Sequence, residues 1–462
     1  MSLPAPLFGA GATGRFALPY LRADVARLRD APCCASIPTS WEIAIASTGT
    51  ITPSIVGETL AAGPLAGRLI SLDIFRGLTI AAMILVNNPG SWEHIYWPLD
   101  HARWHGWTPT DLIFPFFLFI VGVSMVLSFT KRIERGAARG SLARHVFLRS
   151  AVIFLVGLFL AGFPHFNLSR IRIPGVLQRI AVCYLFAGWI ALVAWRRREA
   201  EGRTNGLAVV AIIAVIVVLL AGYWAALTYV PVPGYGAGRL DPEGNLGAYL
   251  DRKLLAGHVW SQSKTWDPEG ILSTFPAIAT TLIGALVGTW LLSARTAQRK
   301  CAGLLAVGFI GLIVGRLLHP FFPINKNLWT STYVIFTAGF AMLLLALCYW
   351  VADIRGNRRW AAPFLVYGTN ALAVFALSNL LAKASIIYKV TVAGPDPRKL
   401  AEGAAAAGTV VHQISWHGYA YSRFFAPLAS PVNASLLFAL FYVLLWLALM
   451  WPLYHKRIFI KI

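Results

Sequence analysis

The chain has 462 residues, of which 57% are hydrophobic and only 13% charged, with a mean hydropathy of +0.64. A soluble globular chain carries about a quarter charged residues, so this composition excludes an ordinary soluble domain. A formal charge of +21, from 40 Lys and Arg against 19 Asp and Glu, raises nucleic acid as a partner, but the placement of those charges argues against it.

Residues 1–67 have scattered arginines, many Ala, Pro, Ser and Thr, and no run long enough to span a bilayer. The stretch RFALPYLRADVARLRD, starting at Arg15, suits a short amphipathic helix on a membrane surface. No signal peptide is evident. We read 1–67 as a poorly ordered or surface-lying cytoplasmic tail, and 68–462 as a membrane domain.

Ten apolar runs approach the roughly 20 residues that a spanning helix needs: 70–88, 109–130, 146–163, 175–195, 206–229, 271–293, 301–318, 331–351, 361–382 and 433–454. The expected fold is an all-α polytopic bundle of about ten transmembrane helices. Connections alternate in charge along the chain. Segments 131–149, 196–203, 294–300, 353–359 and 456–461 hold 6, 4, 3, 3 and 3 Lys or Arg, while 89–108, 164–174 and 319–330 hold 1, 2 and 1. The positive-inside rule puts the first set in the cytoplasm. Both termini are then cytoplasmic, as an even number of spans requires, and the first hairpin is periplasmic. The basic excess reads as topology and attraction to anionic lipid in the inner membrane, with no nucleic-acid partner. The five cysteines (Cys33, Cys34, Cys183, Cys301, Cys348) show no ligand or disulfide spacing, so no metal site is expected.

Polar residues within or beside the spans are the candidates for chemistry, because charge in hydrocarbon is costly and is kept where it functions. SLDIFRG puts Asp73 and Arg76 on one helix face near the cytoplasmic end of the first span. VNNPG offers Asn87 and Asn88 at its outer end. The next loop carries His94, His101 and His105 among Trp92, Tyr96, Trp97, Trp104 and Trp107. Those aromatics suit either an interfacial belt or a stacking platform for a sugar. Thr108, Pro109 and Asp111 resemble a capping box, which accounts for Asp111 as well as a site role does. RIRIPGVLQRIAVCY sets Gln178 and Arg179 one turn into the fourth span. WDPEGILST supplies Asp267 and Glu269; INKNLWTSTY supplies Asn325, Lys326, Asn327 and Trp329; VYGTNALAVF supplies Asn370. Each alone can be a cap or a buried link. Together they suggest a cavity opening outward, with Asp73 and Arg76 at the opposite mouth.

SLDIFRG, VNN, HARWHGWTPTDLIFPFFLFIVG, RIPGVLQRIA, WDPEGILST, NKNLWTSTYV and YGTNAL resemble, in this order, the heparan-α-glucosaminide N-acetyltransferase family, including bacterial members linked to N-acetylglucosamine use. The resemblance runs over about 68–462. It implies transfer of an acetyl group from cytoplasmic acetyl-CoA to an amino-sugar acceptor, typically a glucosamine amine, on the far side of the membrane, by a homodimer. The family's active histidine falls on His101 and its paired asparagine on Asn87. On this reading Arg76 meets the donor phosphates beside Asp73, and Gln178 and Arg179 line the donor channel. Trp104, Asp111, Asp267, Glu269, Asn325, Lys326, Asn327, Trp329 and Asn370 are candidates for holding or orienting the acceptor. His101 can act as general base or carry the acetyl group itself. The alternative is a permease for N-acetylglucosamine or a related amino sugar, which would share the aromatic vestibule without needing a reactive histidine.

Overall fold

The computed structural model of the chain describes residues 69–194, 206–395 and 409–460, all within the compact unit Pro64–Ile462. The tail expected over 1–67 and its amphipathic stretch lie outside the described residues.

Among the described residues nine helices are long and apolar enough to cross a bilayer. They are α1 (Ile70–Asn87), α2 (Ile113–Glu134, led in by a 3-10 turn from Pro109), α3 (Arg139–Gly162), α4 (Val176–Ala194), α5 (Gly206–Tyr229), α7 (Thr274–Leu291), α8 (Ala297–Leu318), α9 (Ser331–Tyr349, prolonged to Ile354) and α12 (Pro431–His455). A short helix α6 (Leu246–Leu254) lies in the connection before α7. The fold is the all-α polytopic bundle expected.

The ninth run differs from its expectation as a straight span over 361–382. It is two helices, α10 (Ala362–Thr369) and α11 (Ala371–Ile387), whose axes turn by 72° at the break. The cause is Asn370. Its side-chain Nδ2 donates to the Ile458 carbonyl at 3.1 Å and its Oδ1 accepts from Ile460 N at 2.8 Å. The amide thus clasps the segment after α12, and an Asn that bonds backbone in this way competes with helix continuation. The connection after α11 also holds a ribbon absent from the sequence reading: β1 (Lys389–Pro395) pairs antiparallel with β2 (Thr409–Ser415), Lys389 opposite Ser415.

Burial sorts the helices into two layers. Over their apolar windows α1, α2, α4, α7 and α9 are 61–67% buried, against 22–33% for α3, α5, α8 and α12. The second group therefore faces lipid, and α5 is apolar on all sides, as a lipid-facing helix can be. Inner helices approach closely at small residues, because packing rather than water exclusion holds helices together in a bilayer. A Cβ on Gly122 of α2 would fall 1.9 Å from the Thr281 carbonyl oxygen of α7. One on Gly284 of α7 would fall 2.1 Å from the Phe119 carbonyl oxygen of α2. The two backbones are locked reciprocally, which fixes the helix that carries Asp111 against the helix that follows Glu269.

Gly284→Val must push α2 and α7 apart and should cost about 3 kcal/mol or more, at the upper end of overpacking penalties. Thermal unfolding in detergent should show the loss, whereas Gly140→Ala, at a position with open space around the added carbon, should be close to neutral.

Candidate functional site

The loop after α1 brings His101 to the start of α2. The capping box expected there is present: Asp111 Oδ2 accepts from Thr108 N at 3.0 Å, and also from Ala102 N at 3.1 Å. The other oxygen, Oδ1, lies 2.7 Å from His101 Nδ1. Capping and orientation are thus one device, because the carboxylate that closes the helix end also holds the imidazole. With Asp111 ionised, the short contact requires the proton on Nδ1, which leaves Nε2 as the basic nitrogen. Asp111 is 1% exposed on its side chain and His101 46%, so the acid is sheltered while the ring faces open space.

A third group completes this centre. Lys326, on the loop between α8 and α9, places Nζ 3.1 Å from both His101 ring nitrogens and 3.8 Å from Asp111 Oδ1. Burial holds its ammonium below the ordinary lysine range, opposed by the charges of Asp111 and Glu269. The loop is shaped by its own side chains. Asn325 Oδ1 accepts from Leu328 N at 2.8 Å and its Nδ2 meets His105 Nδ1 at 3.3 Å. Trp329 is buried with φ of +53°, a conformation that costs a bulky residue about 1–3 kcal/mol and that clusters at functional sites. Its indole Nε1 donates to Thr280 Oγ1 at 3.2 Å, and the Arg179 guanidinium lies 5.1 Å over its ring.

Arg179 is 2% exposed in α4. Its Nη2 donates to the Gly270 carbonyl at 3.1 Å and to Ser273 Oγ, whereas Nε and Nη1 are buried without a partner. An unsatisfied buried donor costs about 1–3 kcal/mol and more when charged, a cost that the contact with the Trp329 ring offsets in part. Nearby, Arg172 closes on two acids: Nε and Nη2 donate to the Asp267 oxygens at 2.8 and 2.6 Å, and Nη2 to Glu269 Oε2 at 2.5 Å. Asp267 also accepts from Trp260 N at 2.8 Å and Glu269 N at 2.9 Å. It is consumed as a structural hub.

At the other end of the bundle Arg76 Nη1 donates to Asp73 Oδ1 at 2.8 Å and to the Gly368 carbonyl at 3.3 Å, and Nη2 to Ser124 Oγ at 2.6 Å. Arg76 lines a cavity of about 510 Å³, together with Arg132, His145, Arg149 and Tyr184. Phe117 and Ile180 line it as well, reaching back toward the histidine end. Along α2, Phe117 is six residues from Asp111 and Arg132 is 21, about 9 and 31 Å at helical rise. The basic mouth and the His101 centre therefore stand a bilayer thickness apart on one helix. The chemistry of the donor set, four cationic or titratable nitrogen groups around a cavity, fits an anionic ligand.

Of the residues singled out from the sequence, the structure assembles His101, Asp111 and Lys326 directly, with Arg179, Trp329 and Glu269 beside them. Asn325 is spent on its turn, and Asn327 is half-buried next to it. Trp104 donates from Nε1 to the Leu240 carbonyl at 2.8 Å and stacks edge-on with Trp266. Gln178 is buried against Gly157 and Gly175. Asn87 is exposed at the end of α1, and among the described contacts none joins it to His101. Asn370 does not join the histidine group: it sits at the Arg76 end, clasping the C-terminal segment. Arg172, Arg132, His145 and Arg149 were missed. Arg172 lies inside the RIRIPGVLQR motif and is the charge that the Asp267–Glu269 pair required. Arg132 and Arg149 had been absorbed into loop charge, and His145 had no pattern to mark it.

The sequence model of the family described as heparan-alpha-glucosaminide N-acetyltransferase, catalytic, matches residues 68–317. A relative of that name from Homo sapiens is 32% identical over 351 residues, 67% of this chain and 52% of its own length. Another from Mus musculus is 30% identical over 359 residues, 68% of this chain and 54% of its own. The chain spans about half the length of the curated relatives it matches.

Arg172→Ala strands two acids and should lower stability by about 3–5 kcal/mol, with Arg172→Lys recovering only part, since an ammonium cannot reproduce the fork; thermal unfolding checks both. A second outcome concerns Asp251 of α6, which accepts from Asp267 N and Ile271 N and whose carboxyl burial pushes up to about 6. The fold then favours its protonated form, so its contribution is fully present below the unfolded value of 3.8 and is lost as pH rises through about 6. Unfolding midpoints followed from about pH 4 to 7 should decline more steeply in the unaltered protein than in Asp251→Asn.

Proposed function

The chain belongs to the heparan-alpha-glucosaminide N-acetyltransferase family, and from that premise we propose that it transfers an acetyl group from acetyl-CoA to the amine of a glucosamine-type acceptor across the membrane. In this reading the protein lies in the inner membrane with both termini cytoplasmic, and the functional unit is a homodimer. Acetyl-CoA enters from the cytoplasm. Its phosphates meet Arg76, Arg132 and Arg149 at the basic cavity, and its slender arm runs along α2 past Phe117 toward His101. Asp73 fixes the Arg76 guanidinium.

The observation that carries the reading is the Asp111–His101 pair at one end of α2 and the basic cavity at the other. A permease that only passes a sugar would not need an imidazole whose tautomer is set by a buried carboxylate. His101 Nε2 accepts the proton that the acceptor amine sheds as its nitrogen bonds to the acyl carbon; the donor leaves as a thiolate when the carbon–sulfur bond breaks and takes that proton back from the imidazolium. Lys326 gives up its contact with the ring to admit the amine, and remains near Asp111. Asn87, which the family resemblance pairs with the active histidine, is on this proposal the donor to the developing oxyanion; an amide in that role contributes about 10²–10³ in rate.

His101→Ala should reduce acetyl transfer by at least a thousandfold while acetyl-CoA still raises the unfolding temperature, as a ligand bound only by the folded state must. Near-normal turnover would remove His101 from the chemistry. Arg149→Ala should raise the KM for acetyl-CoA about tenfold, the equivalent of one lost contact of about 1.4 kcal/mol, and leave the KM for the amine unchanged.

A further inference from the structure

A second cavity, of about 310 Å³, opens in the half of the bundle that holds His101. Its walls are Phe154 of α3, Val182 and Phe186 of α4, Ile271 before α7, and Phe275 and Ile278 of α7. Phe186, Ile271 and Phe275 are 45%, 37% and 47% exposed. They stand on or beside spanning helices, so the mouth faces the acyl chains of the bilayer rather than water. The inner wall is of another kind: Arg179 and Glu269 line it, and Arg179 is the buried arginine with two unpartnered guanidinium nitrogens. Both residues act electrostatically on Lys326, which contacts His101. The slot is thus apolar toward the lipid and charged toward the reactive centre.

That combination selects an amphiphile. The donor's anionic end is provided for at the opposite mouth, where the arginines cluster. A free sugar gains nothing from an apolar slot that opens sideways. Most membrane lipids would fill the slot but offer no amine, and the amine of a phosphatidylethanolamine lacks the sugar that the acetyl-transfer reading requires. Resting on the acetyl-transfer reading above, we propose that the acceptor is itself membrane-resident: an amino sugar borne on an alkyl or isoprenoid chain, with the chain in this cavity and the oxygens at the chain–sugar junction against Arg179. The sugar then reaches His101 from within the bilayer's outer half, and burial of the chain contributes to affinity in proportion to its length.

The test uses the full chain reconstituted in vesicles, labelled acetyl-CoA, and methyl and octyl β-glucosaminides as acceptors. The octyl compound should exceed the methyl compound at least tenfold in kcat/KM. Val182→Trp, which fills the slot, should bring that ratio close to one; Ile271→Trp at the rim is read in the same way should Val182→Trp fail to fold. A ratio near one in the unaltered protein overturns the inference and leaves acetyl transfer standing. A high ratio that survives both substitutions also overturns it, because the chain then acts only by concentrating acceptor in the bilayer. Absence of transfer to either compound overturns the acetyl-transfer reading, and the inference with it.

Discussion

A charge held inside a bilayer must be answered by another charge, by hydrogen bonds, or by a cavity that a polar ligand enters. The distribution of polar side chains in this bundle follows from that constraint. Arg172 is answered by Asp267 and Glu269, Arg76 by Asp73, Ser124 and the Gly368 carbonyl, and Asp111 by two backbone N–H groups and His101. These pairs hold the helices in place. Where the answer is incomplete, as at Arg179 Nε and Nη1, the group stands beside a cavity.

The helix α2 ties the two ends together. Its first turn is capped by the carboxylate that orients His101, its middle is locked to α7 by Gly122 and Gly284, and its last turns bring Arg132 to the basic cavity. A shift of α2 by one residue would move the His101–Asp111 pair and the basic cavity together. This explains why backbone contact at the glycines, far from either end, is a condition for the proposed chemistry. The wide burial contrast between the inner and outer helices keeps the His101 end and the basic cavity on helices that other helices screen from lipid.

The all-α membrane bundle and the family are legible in the sequence, because hydropathy and collinear motifs are local signals. Asp111 was readable as a cap from Thr108 and Pro109, and the structure adds that the same carboxylate serves His101. Partners far apart in the chain were not legible. Lys326 and His101 are 225 residues apart, and Arg172 and Asp267 are 95; periodicity gives no hint of either pairing. Asn370 sits in a run as apolar as its neighbours, and only the C-terminal backbone that it clasps reveals why the helix breaks there. The basic cavity escaped notice because Arg132 and Arg149 had already been accounted for by topology, while His145 carried no motif of its own.

The claim on which the account depends is that donor and acceptor meet from opposite faces of one membrane. Sealed inside-out vesicles bearing the protein, with an amino sugar trapped in the lumen and labelled acetyl-CoA added outside, test it directly. The account predicts that label appears on the trapped sugar while the vesicles remain sealed, and that acetyl-CoA confined to the lumen gives none. Transfer only when both substrates share one compartment would contradict it.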